Sequence, residues 1–500
     1  VVKQPLSGTG NSIMRSSSTK IFSKPLLAII AISLMISLSI VAISTSLHYY
    51  YLLILAFGLP IGILTIRAVV ISSSGLSELF SKLRWWHVLW LLVFASGLVL
   101  RIRDTTTVEQ NPLDIWALYR IGLIGIVGFI LFARLLMRRT DWLKTLFQGS
   151  IGLLTAFAIL SIVSTLWSAY PTWTLYKSVE YFIDIALIAA IVVAARDIGE
   201  FKTLFDWTWL LVGLLVASSW IGLLIWPDLY RFDVGVIGLQ LHGALPVLET
   251  NKVGELSAIL CIVALNRFLF TEDKKFYSVL FLASMITLIL SQSRSPITGF
   301  LVAIPIMLFS SKKIGPFVLT GMLIFSLILL TGIVDSFWQY FLRGQEAETF
   351  ATLSGRTKLW IFGWEAFKDN PLVGYGAYAG ARFEVMANTK YAAGEVGRWS
   401  TILNTWLETI LGVGIFGGIL VAAAFIRTWV NLLRIALRSK AGTLTQILAI
   451  EAIGILALLS VRSMFSVNLI WHPPLNFFLL MGYSEFLYRR KFLSKNKNKL

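Results

Sequence analysis

Charge is scarce in this 500-residue chain: 14% of residues are Asp, Glu, Lys or Arg, against 57% hydrophobic. A soluble chain carries about 25% charged residues, so the length does not indicate a set of soluble domains. Cysteine is nearly absent. Cys261 has no partner in the chain, which excludes an intrachain disulfide and a cysteine zinc site. Histidine is limited to His48, His87, His242 and His472, too few for a multi-histidine metal site. The 37 glycines follow no period, which excludes collagen. Disorder requires low hydrophobicity and is excluded as well.

What is plentiful is apolar sequence in long runs. A helical span takes about 20 mostly apolar residues. Such runs lie at 26–46, 50–72, 86–101, 117–137, 150–167, 175–195, 206–226, 252–270, 276–292, 295–311, 314–334, 402–425, 445–465 and 470–488. The expected fold is all-α, a polytopic bundle of about 12–14 transmembrane helices. No internal repeat is visible.

Basic residues number 43 against 26 acidic, a net charge of +17. That balance suits nucleic acid, but the placement does not. Lys and Arg gather in short connections on alternate sides of the runs, as the positive-inside rule requires, so no nucleic acid is expected. The connections 47–49 and 168–174 hold none. Both termini are therefore expected in the cytoplasm. The apolar run at 26–46 is too long for the core of a signal peptide and reads as a retained span. The expected organisation is a disordered cytoplasmic segment at 1–24, transmembrane helices over 25–334, an external loop at 335–401, transmembrane helices over 402–488 and a basic cytoplasmic tail at 489–500.

The long loop has as many basic as acidic residues, so net charge does not mark it as an anion site. Apolar positions at 359, 360, 362, 364, 366 and 367 predict an amphipathic helix over 357–368, lying on the membrane surface. Ser354 is its expected cap, Asn370-Pro371 stops it, and 374–380 (GYGAYAG) is expected to be a flexible turn.

Ionisable residues inside spans are functional suspects. Lys177, Glu180 and Asp184 share one helix face and read either as a helix-locking pair or as part of a transport path. Glu451 is expected to pair with an arginine of a neighbouring helix. Arg231, Arg294, Arg356, Arg382, Arg398 and Arg462 fall on the side where basic residues are disfavoured. Arg294 ends the polar knot Ser291-Gln292-Ser293-Arg294 between two apolar runs with no room for a loop. It reads either as an interfacial anchor or as a guanidinium held for a phosphate or pyrophosphate.

Three stretches carry a family resemblance. They are Ser291 to Arg294; Ser354-Gly355-Arg356 with Trp360 and 371–376 (PLVGYG); and Asn404-Thr405-Trp406-Leu407-Glu408 with Gly412, Gly414 and Gly417. Asn251 with Gly254 is a fourth, weaker match. In order and spacing, residues 240–420 resemble the bacterial O-antigen ligase and polysaccharide polymerase superfamily of membrane glycosyltransferases. The resemblance implies transfer at the outer face of the inner membrane from a glycan on undecaprenyl pyrophosphate to a glycan or lipid-linked acceptor, among membrane lipids. It implies catalytic roles for Arg294 and Arg356, with Glu408 as a candidate base beside them. Asn404, Asn251, Ser291, Ser293 and Tyr375 are the candidate substrate-binding residues, joined by Arg382, placed by proximity only, and by His242, from another segment. No Asp-rich motif lies outside, so arginines stand where a metal acts elsewhere, and no cofactor is expected. Many members have His where this chain has Leu403, so the base is open between Glu408 and His242, and Glu408 also reads as a carboxylate favoured near a helix N-terminus. That departure points to a polymerase rather than a lipid A core ligase. A transporter or lipid-linked glycan flippase is the rival class.

Overall fold

In a bilayer every backbone N–H and C=O has to be satisfied within its own segment, so apolar runs of this length become helices. The computed structural model describes residues 80–98, 113–137, 141–229, 231–232, 239–270, 274–311, 340–342, 352–385 except 354, 401–471 and 474–497, with 63, 66 and 67 as isolated positions. The runs at 26–46 and 314–334, most of 50–72, the segment 1–24 and Ser354 lie outside the described residues. The helices are α1 (Trp85–Ser96), α2 (Ile115–Leu136), α3 (Gly149–Val163), α4 (Pro171–Ala194), α5 (Ile198–Ile225), α6 (Thr250–Phe270), α7 (Lys274–Leu290) and α8 (Arg294–Ser310). They continue as α9 (Arg356–Asp369), α10 (Thr405–Arg438), α11 (Leu444–Ser463) and α12 (Leu475–Lys497). Each expected run within the described residues is helical. Among the described residues, six helices are long and apolar enough to cross a membrane: α2, α3 with its extension to Leu166, α5, α6, α10 and α11. The chain is an all-α polytopic membrane protein. The backbone of α12 continues past 488 into the expected tail.

The helix starts are chemically marked. Asp114, Asp197, Asn404 and Thr443 each accept a first-turn N–H at the starts of α2, α5, α10 and α11. Pro171 opens α4. Helix α3 packs between α4 and α10, α6 packs against α7, α8 and α11, and α10 with α11 joins the two groups. Two short antiparallel ladders, β1 (Arg231–Phe232) with β2 (Leu239–Gln240) and β3 (Gly243–Ala244) with β4 (Val247–Leu248), connect α5 to α6.

Polarity is distributed inside out. Helix α2 turns Leu118, Phe129, Phe132 and Leu136 outward, as a lipid-facing helix does. The interior holds ions instead. Glu451 accepts from Trp209 Nε1 at 2.6 Å and faces Arg267, the expected neighbour arginine, at 3.4 Å. Arg267 Nη2 also reaches Asp206 at 2.7 Å. Buried charges survive only when paired and hydrogen-bonded, and these tie α5, α6 and α11 together.

Helix α10 is broken. Val413 and Gly414 leave helical geometry, with Gly414 at φ 70. The turn at 371–376 fills the break: Tyr375 N donates to Leu411 O at 2.8 Å, Gly376 N to Gly412 O at 2.9 Å, and Ile415 N to Pro371 O at 2.9 Å. A Cβ at position 414 would overlap the Leu372 carbonyl. The turn expected to be flexible is thus hydrogen-bonded into a membrane helix, because unwound backbone at that depth needs partners. Helix α9 agrees with the amphipathic pattern. It is preceded by Gly355 at φ 87, buries Leu359, Gly363 and Ala366 against Leu407 and Leu411 of α10, and turns Ile361 and Trp364 outward.

Candidate functional site

The polar knot is built against α6. Gly254 allows it: a Cβ there would lie 2.8 Å from Ser291 Oγ and 2.9 Å from Ser293 Cβ. Ser293 Oγ donates to Asn251 Oδ1, and Ser291 Oγ donates to Leu288 O at 2.7 Å. Gln292 adopts φ 48 and donates to Leu239 O at 2.8 Å, which docks the β2 end onto the knot. One turn beyond Asn251, Glu255 is buried. It takes Lys252 Nζ at 2.9 Å and Arg462 of α11 at 2.8 Å, and Arg462 Nη1 also donates to Ser295 Oγ at 2.9 Å. The knot is therefore clamped from α6 and α11.

Arg294, at the start of α8, is half-buried and donates from Nη2 to Leu342 O at 3.0 Å. Among the described residues, Arg356 is close enough for its charge to bear on Arg294. Arg356 is the first residue of α9, and its guanidinium lies 5.9 Å from the Phe465 ring centre. Two guanidinium groups brought within electrostatic range of one another form a pole suited to an anion. Trp360, one turn along α9, packs on Phe465 with ring centroids 6.1 Å apart and donates to Ile402 O at 3.2 Å, next to the start of α10.

A second pole lies at that start. Glu408 is fully buried and meets Arg382 Nε at 3.1 Å through Oε1, with Thr401 and the Ile402 backbone also beside the carboxylate; among the described residues its Oε2 has no assigned hydrogen bond. Arg382 comes from a single π-helical turn, Gly380–Val385, and lies 4.5 Å over the Tyr378 ring. Burial works against the charge on Arg382, but the Glu408 carboxylate outweighs it and holds the guanidinium above its ordinary pKa.

The remaining expected residues have structural partners. Asn404 caps α10, accepting from Trp406 N and Leu407 N. The Tyr375 hydroxyl donates to Ala366 O at 2.8 Å, tying the turn to α9. His242 is half-buried between β2 and β3. Leu403, with φ 56, packs in the apolar cluster of α9 and α10. Glu255 and Lys252 were not legible as site residues. The available signal was a carboxylate one turn past Asn251 inside an apolar run.

The inside-out burial and the paired poles define a multi-pass helical membrane protein with a polar site between α6, α8, α9 and α10. Residues 279–422 match the family model described as O-Antigen ligase, and this match supports the resemblance of that part of the chain to the O-antigen ligase and polysaccharide polymerase superfamily. The matched segment includes Arg294, Arg356, Arg382, Asn404 and Glu408; Asn251 and His242 precede it. No curated protein matches the chain. The family supports a membrane glycan-processing function.

Proposed function

We propose that the chain is a glycosyltransferase of the bacterial inner membrane that polymerises glycan repeat units carried on undecaprenyl pyrophosphate at the outer face. The observation that carries this reading is the mutual approach of Arg294 and Arg356 inside the family-matched segment. An acceptor hydroxyl attacks the anomeric carbon, the new glycosidic bond forms, and the bond from that carbon to the lipid pyrophosphate breaks. Negative charge gathers on the leaving oxygens. Fixed guanidinium groups in a low-dielectric site stabilise it, and their planar forks suit phosphate oxygens. Glu408 Oε2 takes the hydroxyl proton, while Arg382 holds the carboxylate in place from the other oxygen.

Leu403 supports a polymerase over a ligase, because it stands where ligases of the family carry His and it packs into an apolar cluster. The family description favours the second reading, transfer to lipid A core. Reconstitution with lipid-pyrophosphate-linked repeat units separates them. A ladder of lengthening products supports polymerisation. Transfer of one glycan to added lipid A core, with no ladder, moves the assignment to ligase. Neither product from a folded, inserted protein removes the transfer reading altogether.

A further inference from the structure

One face of α4 carries chemistry that the two poles do not use. Trp173, Lys177, Glu180 and Asp184 recur at helical spacing. Nearest the start of the helix, Trp173 and Tyr176 are half-buried, with ring centroids 6.4 Å apart and edge to face. Trp173 also stacks on Tyr378 at 6.3 Å. Further along, Lys177 Nζ lies 4.8 Å from the Tyr176 ring and 5.4 Å from the Tyr378 ring, and donates to Glu180 Oε2 at 2.7 Å. Arg120 of α2 holds the other oxygen of Glu180 at 2.6 Å. Further still is Asp184, 2% exposed, with no hydrogen bond on either carboxylate oxygen among the described residues. The charges that face it are Glu180, Arg120 and Lys177.

Tyr378 joins this face to the Arg382–Glu408 pair, because its ring lies against both Lys177 and Arg382. In the joined cluster Arg120 and Lys177 are paired with Glu180 and Arg382 with Glu408, so its cations are already engaged and it is not a plain anion site. A metal ion would meet Lys177 and Arg120 among its ligands, and a lipid tail needs no charges at all. Aromatic rings beside both donors and acceptors suit a sugar, whose C–H face packs on a ring while its hydroxyls donate to carboxylates and accept from cations. Holding such groups inside a membrane helix is costly, which favours a function for them over a packing role.

We infer that this face of α4 is the acceptor-sugar subsite, with Trp173 and Tyr176 as its stacking surface and Asp184 as an acceptor for a sugar hydroxyl. The inference rests on the transfer reading above. It places the acceptor glycan on the Glu408 side and the lipid pyrophosphate at Arg294 and Arg356.

The test uses the full chain in nanodiscs and two probes. One is undecaprenyl pyrophosphate without sugar. The other is the oligosaccharide released by mild acid from the lipid-linked glycan pool of the cells that carry this chain. Trp173→Ala and Asp184→Asn are expected to weaken oligosaccharide binding about tenfold and to change undecaprenyl pyrophosphate binding by less than about twofold. Trp173→Phe keeps a ring and is expected to retain most of the affinity. Unchanged oligosaccharide binding in both variants overturns the subsite, as does equal loss of both probes or wild-type protein that ignores the oligosaccharide. Failure of wild-type protein to bind sugarless undecaprenyl pyrophosphate is a separate result and counts against the transfer reading itself.

Discussion

Arg294 and Arg462 differ by what faces them. Arg462 is buried against Glu255 and Ser295, so it acts on the knot. Arg294 is half-buried, and the described groups it meets include a backbone carbonyl and a second guanidinium, a setting unlike the carboxylate clamp of Arg462. Removing one donor from a charge-stabilising site costs about 10²–10³ in rate. Arg294→Ala is expected to lower transfer by that order while leaving the melting curve in detergent unchanged. Arg294→Lys is expected to rescue poorly, since a point charge does not reproduce the fork. Glu255→Ala strands a buried arginine, a change that costs about 3–5 kcal/mol where a pair is broken from one side. It should lower the thermal midpoint strongly, and Glu255→Gln with Arg462→Met should recover part of that loss. A double variant no more stable than Glu255→Ala would mean that the pair is not the clamp. Arg294 and Arg356 were legible in the sequence because each arginine broke the charge rule for its side. Glu255 was not, since its partner lies on α11, far along the chain, and only folding makes them neighbours.

At the scale of elements, the helices followed directly from apolar run length, and α9 from its periodicity. The break in α10 did not. Gly412, Gly414 and Gly417 were visible as a motif, but an apolar run with scattered glycines reads as one continuous span. What decides the matter is the turn at 371–376, whose N–H and C=O groups complete the unwound helix. Gly414 is irreplaceable on two counts, its φ of 70 and the Leu372 carbonyl against it. Gly355 has φ 87 but open space around it. Gly414→Ala is therefore expected to abolish transfer and reduce the amount of inserted protein, while Gly355→Asn, a residue that tolerates the left-handed region, is expected to keep most of both. Immunoblots of membrane fractions beside the ladder assay read the two effects. Equal tolerance at the two positions would contradict the account of the break.

For the whole molecule, the alternation of basic connections underlies the proposal that both termini lie in the cytoplasm and the long loop lies outside. A cysteine placed at Ala393 is expected to react with an impermeant maleimide in intact cells, and one at Ser494 is not. The opposite pattern would invert the protein and remove the outer-face reading. The broken helix bears on the same scale through its dipoles. A half-helix end concentrates partial charge, and transporters with discontinuous helices use such ends to hold substrates and coupling ions. In α10 the carbonyls of Leu411 and Gly412 already accept from Tyr375 and Gly376, and Ile415 N–H already donates to Pro371. The partial charges at these ends are taken up by the protein's own turn, which sets the break apart from the ligand-holding helix ends of such transporters. Glycan transfer in proteoliposomes should accordingly proceed at the same rate when ionophores collapse the sodium and proton gradients.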